Sequence, residues 1–248
     1  MDSGLYTAYS GLRATADLLD VVANNLANVN TTGFKADETF QKMYNRAVAE
    51  AGAGPLEDAM NNSAAIGGSL SNFQPGVMKA TGRDLDVAIE GKGFLTVQGP
   101  SGMYFTRNGS LHLNTDGGLV TSEGLPVLGE NGPIQIPQGR VSITESGDIT
   151  VEGKAVDTLR IVDFADKHAL EKVGDSLFRS LGAEGTVLDP GDRTVRQGTL
   201  EQSNVNPVRE MVVMIDIMRR FEALQKTVFT MMNEINQRSI DQVGDVVA

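Results

Sequence analysis

Two pairs of carboxylates come closest, by residue type and spacing, to a catalytic or metal-binding site. Asp84 and Asp86 alternate along a predicted strand, and Asp189 and Asp192 flank a Pro-Gly turn. Paired carboxylates act as acid and base catalysts or bind calcium. Alternate residues of a strand share one face, and turns favour aspartate, so both pairs have a structural explanation. We therefore predict no catalytic residue and no metal site at either pair.

Histidine and glycine motifs give no stronger sign of catalysis. His112 and His168 are the two histidines, and they fall in different predicted elements without the spacing of metal ligands. Gly91-Lys92-Gly93 begins like a dinucleotide-binding loop, but the residues from Phe94 onward continue as a strand and not as a phosphate-binding helix. We therefore predict a protein that is not an enzyme and holds no cofactor.

The charge balance excludes one class of partner. Lys and Arg total 21 against 32 for Asp and Glu, which gives a formal net charge of −11. No Lys/Arg cluster offers the positive surface that a nucleic-acid backbone requires, so we expect no nucleic-acid binding. The absence of Cys excludes disulfides and a cysteine nucleophile. It leaves the cellular compartment open.

Hydropathy predicts neither a membrane span nor a cleaved leader. No stretch approaches the roughly 18 apolar residues of a spanning helix. The opening MDSGLYTAYS lacks the basic and apolar regions of a signal peptide. We therefore expect no direct membrane insertion, and export without a cleaved signal peptide if the protein leaves the cytoplasm.

Two apolar ladders mark the ends of the chain. Their members recur three and four residues apart, which is the spacing of a coiled-coil seam. Asn206 as a cap and Pro207 in the first turn predict where the second helix begins, and Gly244 predicts its end. The ladders are Leu5, Tyr9, Leu12, Ala16, Leu19, Ala23 and Leu26, followed by Met214, Ile217, Phe221, Leu224, Val228, Met231 and Ile235.

Between the ladders the hydrophobic period changes to two. Short apolar alternations such as Val87 with Ile89 and Ile149 with Val151 are separated by turn signals, including Ser146-Gly147. This pattern predicts an α+β fold, in which long N- and C-terminal helices pair as a coiled-coil-like assembly domain beside a central antiparallel β domain. The predicted divisions are an N-terminal helix and turn over 1–35, an extended connector over 36–82, the β domain over 83–200 and the C-terminal helix over 201–248.

Four segments carry a family resemblance, and they occur in the same order along the chain. They are ANNLANVNTTGFK at 23–35, DVAIEGKGF at 86–94, YFTRNGS at 104–110 and SNVNPV at 203–208. Together they resemble the rod and hook proteins of the bacterial flagellum. The opening Met1-Asp2 and the Asn206-Pro207-Val208 run are most similar to a proximal rod subunit, with a distal rod or hook-family subunit as the alternative.

This resemblance implies a structural function. In the family, terminal helices form an inner tube around an export channel, the β domain lies outside it, and the assembled rod transmits torque. The implied partners are other flagellar rod subunits, proximal and distal, and the flagellar type III export apparatus during secretion. The implied location is the basal-body rod, which spans the periplasm.

We assign the assembly interface to the two ladders and to the turn after the first helix. Asparagine and glycine in that turn favour a defined geometry between subunits. The predicted interface residues are Leu5, Tyr9, Leu12, Leu19, Leu26, Asn25, Asn28, Gly33, Phe34, Met214, Ile217, Phe221, Leu224, Val228, Met231 and Ile235.

The methionines of the second helix have two interpretations. Unbranched thioethers suit either the core of a helix bundle, which we favour, or an adaptable binding surface. These methionines are Met211, Met214, Met218, Met231 and Met232.

Two other functional classes remain as alternatives. One is an acidic β-domain hydrolase with helical oligomerisation arms, which the missing catalytic constellation makes remote. The other is a secreted adhesive or binding module, which should expose aromatic residues. The chain is 5% aromatic and has no Trp.

Overall fold

The computed structural model describes residues 2–39, 69–182 and 185–247, with the side chains of 2–7 and 234–247 outside that description. The chain divides into two compact units. The helical unit comprises Met1–Ala27, Asp37–Leu70 and Asn206–Ala248, and the β unit comprises Asn28–Ala36 and Ser71–Val205. Most of the predicted connector over 36–82 lies outside the described residues, and the four predicted divisions stay predictions.

The helical unit contains two helices and a short strand pair. Helix α1 spans Asp2–Ala27, and helix α2 spans Pro207–Val247. Strands β1 (Asp37–Thr39) and β2 (Ser69–Ser71) pair with each other.

Local capping fixes the beginning of α2 as predicted. The Asn206 side-chain oxygen accepts a hydrogen bond of 3.1 Å from the Arg209 N–H, which satisfies one of the free donors of the first turn. Pro207 occupies the first helical position, where its missing N–H costs nothing. The predicted end near Gly244 is wrong, because α2 continues to Val247.

The predicted coiled-coil-like pairing of the terminal helices is wrong, and so is the fold class built on it. The buried side chains of α1 are Thr15, Val22 and Asn25, whereas the ladder residues Tyr9 and Ala23 are exposed. The buried face is thus rotated from the predicted seam by about one residue step, or roughly 100°. The described chain is strand-rich, with nineteen strands against two α-helices.

The β unit is built from short strands joined by tight turns. They are β3 Met78–Ala80, β4 Val87–Glu90, β5 Phe94–Gly99, β6 Gly102–Thr106, β7 His112–Leu113, β8 Leu119–Val120, β9 Leu128–Gly129, β10 Gly132–Pro133, β11 Val141–Ile143, β12 Asp148–Val151, β13 Lys154–Thr158, β14 Ile161–Asp163, β15 Leu170–Gly174, β16 Leu177–Ser180, β17 Thr186–Val187, β18 Thr194–Gln197 and β19 Thr199–Glu201.

The pairing is antiparallel in every sheet of the β unit. The largest sheet has six strands in the order β15-β16-β6-β5-β14-β17, and a second has the order β11-β12-β13. The remaining strands form the pairs β9-β10, β4-β18, β3-β19 and β7-β8. Since β18 and β19 return to pair with β4 and β3, the two ends of the β unit's long segment meet.

Two apolar clusters form the core of the β unit. One is aliphatic, with Ile149, Leu159 and Ile161 fully buried. The other is aromatic, and Phe94 packs edge-to-face on Phe178 with ring centroids 5.9 Å apart. Edge-to-face contact adds to the stabilisation from burial, so this cluster contributes strongly to the stability of the unit.

A single 3-10 turn interrupts the strands of the β unit. It spans Lys167–Ala169 and is followed directly by β15. The Asp166 carboxylate accepts the His168 N–H at 2.9 Å and so caps the turn. Strand pairing with β16 takes over from Leu170 onward.

Candidate functional site

Helix α2 buries one face within the helical unit. Its predicted ladder lies on this face: Ile217 is 7% exposed. An added Cβ on Gly11 of α1 would lie 3.9 Å from Leu224 Cδ1, so the two helices are in contact here. The side chain of Ile235 lies outside the described residues. The half-buried members are Met214, Phe221, Leu224, Val228 and Met231.

A second apolar face of α2 is exposed. Its seven side chains are each at least 46% exposed, and they make up half of the exposed large apolar residues of the described chain. We call this face the outer stripe. Large contiguous exposed apolar surfaces are typical of interaction sites. The outer stripe consists of Val208, Met211, Val212, Ile215, Met218, Phe229 and Met232.

The structure therefore divides the methionines between the two faces of α2. Met214 and Met231 are half-buried on the inner face, as the core interpretation expects. Met211, Met218 and Met232 belong to the outer stripe. The stripe was not predicted as a unit, although its residues recur three and four positions apart from Val208 to Met218.

The ladder of α1 is only partly covered. Leu12, Leu19 and Leu26 are half-buried, and Tyr9 is 59% exposed. The side chain of Leu5 lies outside the described residues. Among the described ladder residues of α1, Tyr9 is therefore the side chain most accessible to a neighbour.

Asn25 has an internal role that its polarity did not reveal. It is 2% exposed and exchanges two hydrogen bonds with the Asp37 backbone, one donated by Nδ2 and one accepted by Oδ1, each 2.8 Å long. Such a two-way bond replaces the water that a buried amide loses. Asn25 therefore joins α1 to the start of β1 inside the helical unit.

The turn at 28–36 packs on the strands of the β unit, to which it belongs. Asn28 organises the turn by accepting hydrogen bonds of 3.1 Å from the backbone N–H and the hydroxyl of Thr31. Gly33 has a φ of +67°, and a side chain there would overlap the backbone of Arg107. Phe34 is buried, and the Lys172 ammonium lies 3.8 Å from the centre of its ring. These three residues make contacts within the subunit, and their place at an interface between subunits stays a prediction.

A buried charge cluster fixes the end of this turn. Lys35 Nζ donates to Glu201 Oε1 at 2.6 Å, and Arg107 Nη1 donates to Glu201 Oε2 at 3.3 Å. The Gly76 N–H also donates to Glu201 Oε1, at 2.9 Å. One carboxylate thus joins the turn, strand β19 and the Arg107 loop that follows β6.

The electrostatics of the cluster follow from its burial. Loss of solvation lowers the pKa of the Lys35 ammonium below its ordinary value, and the Glu201 carboxylate opposes that shift. Burial also lowers the pKa of Arg107, again against the effect of Glu201. Lys35 further donates to the Gln74 carbonyl at 2.9 Å, and Arg107 donates to the Ile89 carbonyl at 3.1 Å. These bonds hold two cations around one anion away from water.

The buried charge cluster was not predicted from the sequence. Lys35 and Arg107 both stand in the segments that carry the resemblance, but Glu201 is 166 residues from Lys35, and no local pattern connects the two. The one local signal for the cluster was the basic residue, Lys35 or Arg107, within a motif that is otherwise apolar or typical of a turn.

The carboxylates and histidines with candidate spacing lie in different surroundings. Asp86 is buried and has the Arg83 guanidinium 3.6 Å away, whereas Asp84 is exposed. His112 and His168 are exposed on separate elements. Across the described residues, no group of three or more His, Cys, Asp or Glu side chains is arranged to hold a metal ion. None of the helices in the described ranges is both long and apolar enough to cross a membrane.

Family comparisons match three parts of the chain. The flagella basal body rod protein family matches residues 5–35, and the flagellar hook protein FlgE/F/G D1 domain matches residues 88–151. The C-terminal family of flagellar basal body rod FlgEFG proteins matches residues 196–242. These ranges include the turn, β4 to β12 and most of α2.

Curated relatives align over nearly their whole length. The flagellar basal-body rod protein FlgF of Caulobacter vibrioides is 34% identical, over 99% of this chain and 100% of the relative. FlgG of Bacillus subtilis is 35% identical and FlgF of Salmonella typhimurium is 36% identical, each over 96% of this chain and 97% of the relative. These near-equal identities do not separate the FlgF type from the FlgG type. The chain belongs to the flagellar basal-body rod family of FlgF and FlgG type, and it is a structural rod component of the basal body and not an enzyme.

Proposed function

We propose that the chain self-assembles axially through its terminal helices, so that the rod transmits torque and encloses the export channel. The observation that carries this proposal is the outer stripe of α2. Ile215 and Phe229 are 52% and 66% exposed there, although large apolar side chains are normally buried. Covering the stripe with a neighbouring subunit removes apolar surface from water, which favours association.

Rigid connections inside each subunit support torque transmission. Lys35 and Arg107 hold the turn to the β unit through Glu201, and Phe34 packs beneath Lys172. Asn25 similarly joins α1 to β1 within the helical unit. Buried, hydrogen-bonded contacts of this kind resist local opening, as a part that carries load requires.

The proposed partners follow from family membership. The chain assembles with other rod components, and we propose proximal and distal rod subunits as its neighbours. We further propose delivery to the periplasm-spanning rod by the flagellar export apparatus. Loss of the chain from the basal bodies of an export-deficient strain, with the chain retained in the cytoplasm, tests this step.

A charge placed on the outer stripe tests the assembly role. Ile215→Asp should leave the melting temperature of the purified chain nearly unchanged, because the side chain is exposed. In a deletion strain complemented with this variant, basal bodies should contain little of the chain, and swimming should be lost. A carboxylate buried at a subunit contact carries a large desolvation cost.

The matched control is Leu181→Asp. Leu181 is 64% exposed but lies in the β unit, outside the terminal helices. This variant should assemble and swim. Equal incorporation of both variants would contradict assembly through the outer stripe.

A further inference from the structure

We propose that the outer stripe of α2 packs on the exposed face of α1 from a second copy of this chain. This inference rests on the proposed function and names the partner surface. It describes a heterologous contact, in which two different faces meet and the arrangement can continue from copy to copy.

The α2 side of this contact is apolar with a positive excess. Among the described side chains of α2, the exposed cations are Arg209, Arg219, Arg220 and Lys226, against the exposed carboxylates Asp216 and Glu222. Helical geometry places Arg219, Lys226 and Glu222 within the arc of the outer stripe, which leaves one net positive charge there. This local excess stands out because the whole chain carries a net charge of −11.

The α1 side is the complementary partner. Its exposed charged side chains in the described range are Arg13, Asp17 and Asp20, which leave a negative excess. They share one helical face with the small residues Ala23 and Ala27. Small side chains let another helix approach closely, and Tyr9 provides an exposed aromatic residue at the far end of the face.

Charge selects this pairing over two alternatives. An α2 stripe against a second α2 stripe would bring two positive faces together. An α1 face against a second α1 face would join two negative ones and leave the outer stripe in water. The α2-to-α1 contact covers the apolar stripe and matches the charges, and complementary charge fixes the choice of partner in such contacts.

Cysteine cross-linking in assembled basal bodies tests the contact. The chain has no Cys, so every cross-link between two copies of it joins introduced residues. Ile215→Cys is combined in turn with Arg13→Cys, Asp20→Cys and Ala27→Cys, which follow one line along the exposed face of α1. A disulfide requires Cα atoms within about 7 Å, so the three positions, spaced two helical turns apart, sample three different registers of the contact.

We expect at least one double variant to give homodimers and longer ladders on a non-reducing gel. Ile215→Cys alone and the control pair Ile215→Cys with Leu181→Cys should stay monomeric. The proposal is overturned if no double variant forms homodimers, if Ile215→Cys alone dimerises, or if the double variants cross-link only to a different rod protein.

Charge reversal provides an independent readout. Arg219→Glu with Lys226→Glu should reduce incorporation into basal bodies several-fold, and Asp17→Lys with Asp20→Lys in the same chain should restore it. Absence of rescue would overturn the pairing. Failure of this inference is distinguishable from failure of the proposed function, because cysteine variants that enter basal bodies without homodimers leave rod assembly intact and exclude only this contact.

Discussion

The Lys35 ammonium lies 2.6 Å from the Glu201 carboxylate, and both side chains are almost completely excluded from solvent although 166 residues separate them. The contact joins the turn that follows α1 to β19, the last strand before α2. Because Glu201 also accepts from Arg107, it is the shared member of the cluster. The three residues should therefore respond unequally to substitution.

Glu201→Gln should be the most damaging change in this cluster. It leaves two buried cations without a counter-charge, and removing one member of a buried ion pair costs about 3–5 kcal/mol. Lys35→Met should cost less, because Glu201 keeps Arg107 and the Gly76 N–H as partners. Urea unfolding of the full-length chain measures both.

The control for this prediction is Glu90→Gln, which breaks the exposed ion pair between Glu90 and Arg196. An exposed pair contributes about 0–1 kcal/mol, so this variant should stay near the parent. A smaller loss from Glu201→Gln than from Glu90→Gln would show that the buried cluster does not stabilise the β unit.

Gly33→Ala should destabilise the docked turn. The added Cβ would overlap the backbone of Arg107, and the φ of +67° is itself unfavourable for alanine. Gly82→Ala separates the two effects, because Gly82 has a φ of +73° with no atom within 4 Å of an added Cβ. Thermal melting should show a loss of about 1–2 kcal/mol for Gly82→Ala and a clearly larger one for Gly33→Ala. Equal losses of stability in the two variants would rule out the close contact between Gly33 and the backbone of Arg107.

Gly11→Ala should stabilise the helical unit. The new methyl would meet Leu224 Cδ1 at 3.9 Å, which is ordinary van der Waals contact. Alanine is favoured over glycine inside a helix by roughly 0.5–1 kcal/mol. The expected result is greater helicity by circular dichroism and a higher melting temperature. A lower melting temperature would mean that α1 and α2 are packed more tightly at this position than the structure shows.

The contribution of Asp148 to the stability of the fold should be lost at acid pH. Hydrogen bonds from Ser146 at 2.6 Å and Thr158 at 2.8 Å lower the pKa of this carboxyl below its ordinary 3.8. A lowered folded-state pKa gives stability that is fully present above 3.8 and lost as pH falls through the folded-state value. Asp148→Asn should therefore have a lower free energy of unfolding than the parent at pH 7. On acidification, the free energy of unfolding of this variant should fall less than that of the parent.

Ser146→Ala provides the graded comparison for this carboxyl. It removes the first of the three hydroxyl donors to Asp148, so its acid response should fall between those of the parent and Asp148→Asn. Urea midpoints at several pH values from 7 to 3 measure the effect. A constant stability difference between parent and Asp148→Asn across this range would contradict a lowered pKa of Asp148 in the folded chain.

Local patterns predicted where α2 begins and which of its faces is buried, but not the buried face of α1. Asn206 and Pro207 determine where α2 begins because the cap forms within four residues. The ladder of α1 suggested a seam, yet Thr15 and Asn25 are buried because their hydrogen-bonding groups find partners, at the Gly11 carbonyl for Thr15. From their polarity alone, Thr15 and Asn25 would be expected on the exposed side of α1.

Long-range contacts set the limit of prediction for the site. The resemblance segments included Lys35 and Arg107, but their common partner Glu201 becomes a neighbour only when β19 pairs with β3. The outer stripe had a visible period, while its exposure depends on which face of α2 meets α1. Periodicity gives the faces of a helix, and packing decides which face is covered.

Electron microscopy of purified basal bodies tests the central claim most directly. Basal bodies from a strain lacking this chain are compared with those from the same strain carrying it on a plasmid. A structural rod subunit predicts truncated rods and loss of swimming in the deletion strain, with both restored by the intact chain. Complete rods and normal swimming without the chain would contradict the account.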